Sequence, residues 1–116
     1  MSEVTLKSEE ELRLMREAGR LLGLVFGHLD QRIALGVSTM AINDWAERYI
    51  VDQLKARPAS KGQYDYQYVL NASVNHVVCH GIPSDTQILK SGDIVNVDIT
   101  LEKDGFIADA SKMYLI

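Results

Sequence analysis

Two aspartates, Asp98 and Asp109, stand in the stretch DIVNVDITLEKDGFIADASKM, residues 93–113. The pattern around them reads as two β-strands joined by a tight turn. Val95, Val97, Ile99 and Leu101 alternate with Asn96, Asp98 and Thr100, the two-residue period of a strand with one apolar face. Glu102-Lys103-Asp104-Gly105 is polar and ends in Asp-Gly, a strong hairpin signal. Two registers follow. With all four residues in the loop, Leu101 pairs with Phe106 and Asp98 faces Asp109. With Asp104-Gly105 alone as the loop, Asp98 pairs with Ser111 and Asp109 is its diagonal neighbour. In both registers the carboxylates point to the same side. Like charges so placed repel, and a shared proton, a nearby Arg or Lys, solvent or a metal ion must compensate. Two carboxylates on a hairpin suit a hard or borderline divalent cation. Two aspartates on a solvated face fit the spacing equally well.

The elements that must position this hairpin precede it. Ser8-Glu9-Glu10-Glu11 is a capping box, and its acidic turn suits the positive end of a helix dipole. Leu12, Met15, Leu22, Val25, Phe26, Leu29 and Ile33 recur at helical spacing, which predicts a first helix over about residues 9–30. Gly19 and Gly23 weaken it unless another element packs closely there. His28 reads as an ordinary surface or edge histidine. Ser38 or Thr39 caps a second helix, about 40–56, whose stripe of Met40, Ile42, Trp45, Ala46, Tyr49, Ile50 and Leu54 reads as core. Arg57-Pro58 ends it. A sheet is expected over about 68–115, with strands at Tyr68–Val74 and Val77–Cys79 and a corner at His80-Gly81-Ile82-Pro83. A histidine at such a corner can be presented to a cleft, although a structural histidine is the commoner meaning. The helices cover the Val95–Leu101 face, and nothing else in the chain covers the Asp98 face. The fold class is therefore α+β, in a single domain spanning 1–116.

Composition sets bounds. The chain has 116 residues, of which 47% are hydrophobic and 24% charged, ordinary values for a globular protein. A net charge of −4 offers no basic footprint for nucleic acid. The single cysteine, Cys79, excludes an internal disulfide framework and fits a reducing compartment. There is no signal pattern and no long apolar run, so a cytoplasmic protein without membrane contact is expected.

Several stretches together resemble one family. VVCHGIP (77–83), LKSGDIVNVDIT (89–100) and DGFIADASKM (104–113), with EEELRLMREAGRLL and GVSTMAINDWAERYI before them, are similar to the first half of a type I methionine aminopeptidase. The resemblance runs from about Val4 to Ile116. Aminopeptidase P, prolidase and creatinase relatives share the fold and the two aspartates. What it implies is the N-terminal half of a pita-bread fold, with two helices packed on an antiparallel sheet. Two such halves close over a dinuclear metal site held by two Asp, one His and two Glu. By resemblance, Asp98 binds one metal with both oxygens and Asp109 bridges the pair. His80 hydrogen-bonds the substrate near the scissile peptide and helps stabilise the tetrahedral intermediate. Thr100 holds water or a ligand behind the metal.

The implied activity is hydrolytic removal of N-terminal methionine from peptides and nascent proteins. It uses two divalent ions, manganese, iron(II), cobalt or zinc, and a metal-bridging water. The family's His and two Glu ligands lie in a second half and are absent from these 116 residues. A complementary second half is the expected partner; self-association through an uncovered apolar surface is the other expectation, and would give only a poor copy of the site. The alternatives are a non-catalytic binding or regulatory module and half of a related Xaa-Pro metallopeptidase. Gln67 stands where the family often has proline, Asn71 where it often has cysteine and His76 where it often has glutamate, so an altered methionine pocket is also expected.

Overall fold

The computed structural model describes residues 8–59, 61, 67–75 and 81–116. In chain order they form α1 (Glu9–Asp30), α2 (Thr39–Arg48), a π-helical turn (Tyr49–Gln53), and strands β1 (Arg57–Pro58), β2 (Leu70–Val74), β3 (Ile94–Lys103) and β4 (Phe106–Leu115). The expected strand at Val77–Cys79 lies outside the described residues, as do His76 and His80.

β3 is the centre of the sheet. β4 pairs with it along its whole length on one edge. On the other edge β2 pairs with Val95–Ile99, and β1 pairs with Leu101 and Glu102 beyond it. All pairings are antiparallel. The register comes from the turn. Asp104 and Gly105 both take positive φ, 52° and 85°, as the central pair of a type I′ hairpin must. Lys103 therefore pairs with Phe106, and of the two registers open to the sequence the two-residue loop is the one formed. A longer loop would not match the right-handed twist of the ribbon as closely.

The apolar face of β3 is the floor of the core: Val95, Val97, Ile99 and Leu101 are each fully buried. α1 covers it with Ala18, Leu21, Leu22, Val25, Phe26 and Leu29, and Ile42 and Ala46 of α2 join the same core. Removing this much apolar surface from water is the main force holding helices to sheet, at about 25 cal/mol per Å². α1 opens on the capping box read from sequence, Ser8 Oγ accepting from Glu11 N–H and Glu11 Oε1 accepting from Ser8 N–H, both at 3.1 Å. It runs along the hairpin, with Arg13 and Glu17 near Asp104 and Lys103 at the tip. At its other end Asp30 accepts hydrogen bonds from Lys112 and Tyr114 of β4. The first turns lie where the sheet ends, so Leu12 and Met15 remain exposed despite their helical spacing.

The second helix does not continue to residue 56. After Arg48 the bonding widens, with Leu54 N–H donating to Tyr49 O at 3.0 Å. Lys55 then turns left-handed at φ 53°. Lys103 Nζ reaches across from the hairpin and donates to the carbonyls of Leu54 and Lys55 at 3.2 and 3.0 Å, the favourable place for a cation at a helix C-terminus. Asn43, almost wholly buried on α2, accepts from Val69 N–H at 2.8 Å and so fixes the start of β2 to the helix.

Candidate metal centre

The face of the sheet away from the helices is built by alternation. Asn96, Asp98, Thr100 and Glu102 of β3 project there, as do Ile107, Asp109, Ser111 and Met113 of β4 and Asn71 and Ser73 of β2. Asp98 lies mid-strand between two polar neighbours, Asn71 on β2 and Ser111 on β4. Asp109 is paired with Thr100, one step diagonal from Asp98. Diagonal neighbours across an antiparallel pair are about 7–8 Å apart at Cα, with the Cβ atoms somewhat closer. The two carboxylates share a face, and both residues are exposed.

Hydrogen bonding orders this surface. The Thr100 hydroxyl donates to Asp109 Oδ1 at 3.1 Å, which aims that carboxylate while leaving its second oxygen uncommitted by this bond. Sequence reading placed Thr100 on the right face and missed its partner, because the partner depends on the register. Glu102 is drawn off: Arg57 Nε donates to it at 2.9 Å and holds its carboxyl below the usual range. Among the described residues Asn96 Oδ1 is buried without a hydrogen-bond donor, although buried polar atoms are nearly always satisfied. An acceptor oxygen left open two residues from Asp98 suits a cation or a donor from outside the described residues.

This donor set fits a divalent ion in its chemistry: carboxylate oxygens on one face and an uncommitted amide oxygen beside them. It is also partial. Among the described residues no cluster of three or more His, Cys, Asp or Glu gathers. His80 lies outside the described residues, but its neighbour Gly81 does not. Gly81 O accepts from Ala72 N–H at 2.8 Å, and Gly81 N–H donates to Ser73 Oγ at 3.2 Å. A Cβ built on Gly81 would meet Ala72 O at 2.2 Å. Glycine is thus required where this segment is laid against β2.

The open face also carries apolar side chains that sequence reading did not single out. Ile94, Ile107, Met113 and Leu115 share the parity of the aspartates and are 42%, 60%, 63% and 78% exposed. The alternation that buries Val95 to Leu101 could have found them.

The comparisons with known proteins agree with this architecture. The chain is 42% identical to methionine aminopeptidase of Escherichia coli over 113 residues, covering 97% of this chain and 43% of that protein. It superposes on a crystal structure of methionine aminopeptidase from Rickettsia prowazekii with a TM-score of 0.90 and 35% identity, covering 97% of this chain and 45% of that one. A prolidase from Pyrococcus horikoshii matches with a TM-score of 0.73 at 16% identity, over 96% of this chain and 30% of that one, a likeness of fold alone. The chain spans less than half the length of these relatives, and its two helices on an antiparallel sheet make up about half of a pita-bread fold. The model of metallopeptidase family M24 matches residues 13–116, and the chain belongs to that family.

Proposed function

We propose that this chain forms part of a metal-dependent aminopeptidase that removes N-terminal methionine from peptides and nascent proteins. The observation that carries the reading is the pair of carboxylates, Asp98 and Asp109, on one open face of a hairpin in a chain of metallopeptidase family M24. The likeness to methionine aminopeptidases supports the substrate.

In this reading Asp98 and Asp109 hold two divalent ions of the manganese, iron(II), cobalt or zinc class. When bound, such ions polarise a peptide carbonyl and lower the pKa of water. Asp98 stands on the doubly paired central strand, which fixes one donor. Thr100 orients Asp109 through its hydroxyl. His80 would meet the substrate beside the scissile bond and donate to the developing oxyanion, from a segment that Gly81 anchors to β2. The further ligands come from a complementary second half, and the exposed Ile94, Ile107, Met113 and Leu115 supply an apolar surface for it. No helix among the described residues is long and apolar enough to cross a membrane, and a cytoplasmic location is part of the proposal.

The test has two steps. Mn²⁺ titration followed by electron paramagnetic resonance should show binding that weakens in Asp98→Asn and in Asp109→Asn. Any hydrolysis of Met-Ala-Ser that the wild-type chain supports with Mn²⁺ or Co²⁺, alone or with a second half, should be lost in the same variants. Mn²⁺ binding identical in wild type and both variants would remove the carboxylate pair from the mechanism.

A further inference from the structure

The helical side of the molecule carries a second concave site, separated from Asp98 by the sheet and the core. A cleft of about 350 Å³ opens between the last turn of α1, the outer side of α2 and the π-helical turn. His28, Arg32, Trp45, Arg48, Tyr49 and Asp52 line it. The sequence pattern reads Trp45 and Tyr49 as core and His28 as a surface or edge residue. Trp45 and Tyr49 do pack against the core, and all three are half-buried, so their outer sides form the wall of the cleft.

The wall is aromatic and already assembled. The rings of His28 and Tyr49 stack with centroids 4.4 Å apart and planes 27° from parallel. Burial, and then the charge of Arg32, hold the His28 imidazole below its ordinary pKa, so the stacked ring is neutral rather than a third cation. The rim is basic. Arg32 Nη1 donates to His28 O at 3.0 Å, a neutral acceptor that leaves the guanidinium charge uncompensated. The Arg48 side chain makes no hydrogen bond or ion pair among the described residues. Asp52 is the single carboxylate set against these two guanidiniums. The local excess is positive on a chain whose net charge is −4. Tyr49, on the wall, also begins the π-helical turn, an irregularity that recurs at functional positions of helices.

We propose that this cleft binds a planar aromatic ligand carrying a phosphate, of the purine nucleoside monophosphate class. The base stacks on the aromatic wall, as bases do on exposed aromatic side chains. The phosphate lies between Arg32 and Arg48, whose planar forks match its oxygens. Asp52 accepts from the ribose hydroxyls.

Trp45 is the chain's only tryptophan, so its fluorescence, excited at a wavelength the purine does not absorb, reports on this cleft directly. Adenosine monophosphate should quench it saturably. Adenosine and inorganic phosphate, each lacking one half of the recognition, should bind at least about tenfold more weakly, the loss expected for one charge-assisted contact or one stacked ring. Arg48→Gln should lower affinity for the monophosphate by about the same factor, with circular dichroism unchanged. Arg32→Gln serves as the independent variant should Arg48→Gln perturb folding. A linear, collisional quench, or equal affinity in both arginine variants and wild type, would overturn the proposal. So would adenosine binding as tightly as its monophosphate.

Discussion

The closest steric test of this fold is Gly81→Ala. The added methyl would begin 2.2 Å from Ala72 O, 2.6 Å from Ala72 C and 2.7 Å from Ser73 Cα, all of them backbone atoms of β2. Relief requires the segment to retreat from β2 by about 1 Å, which stretches the 2.8 Å bond from Ala72 N–H to Gly81 O beyond hydrogen-bond range. Ala72 is fully buried, so its amide loses its partner out of reach of water, at about 1–3 kcal/mol. Overpacking adds about 1–3 kcal/mol. Alanine's smaller unfolded-state entropy returns about 0.4–1 kcal/mol. The net expectation is a loss of about 2–4 kcal/mol, read as a lower urea midpoint with unchanged slope. In a chain this size it corresponds to a Tm lower by about 8–16 °C. A variant within about 0.5 kcal/mol of wild type would refute the close approach of this segment to β2.

Asp109→Asn should stabilise the metal-free protein by about 0.2–0.6 kcal/mol, the Coulomb repulsion of two exposed charges about 7 Å apart in water with partial screening. Thermal melts at two salt concentrations check this, since the gain must shrink as salt rises; a variant that melts lower than wild type without metal would contradict the paired-carboxylate picture. The Asp30 clasp gives an acid-limb prediction. Hydrogen bonds from Lys112, then from Tyr114, lower the Asp30 pKa in the folded state. Its contribution is therefore present above the unfolded value of about 3.9 and is lost as pH falls through the lower folded value. Asp30→Asn should flatten the Tm-versus-pH curve below about pH 4. Gly105→Ala, at φ 85°, should cost about 1 kcal/mol. Backbone NMR should show cross-strand contacts from Thr100 to Asp109 weakening if the variant shifts toward the four-residue loop.

Alternation around Asp98 and the Asp-Gly signal were enough to place both carboxylates on one face, because parity survives either register. The register itself was not legible. It depends on two positive φ angles that the residues permit without dictating, and with it went the partner of Thr100. Ser8 and Glu11 announced the start of α1 through purely local chemistry. The exposure of Leu12 and Met15 was hidden, since helical spacing cannot say where the sheet beneath stops. The end of the second helix was obscured for a similar reason: Lys103, almost fifty residues away, supplies its cap. Trp45 and Tyr49 were legible as core-packing residues, but apolar spacing does not show that their outer sides also wall a cleft.

β3 is paired on both edges and β4 on one among the described residues, and the difference sets a hierarchy of motion. Amide groups of β3 can meet water only if a neighbouring strand leaves, so their hydrogen exchange should be among the slowest in the chain. β4 can flex outward as an edge without unmaking the rest of the sheet. In the proposed metal site Asp98 would thus be the fixed jaw and Asp109 the adjustable one. Ions of different radius would be accommodated by small displacements of β4, with the exchange rates of Asp109 and Ser111 responding to the size of the ion while those of Val97 and Ile99 stay still.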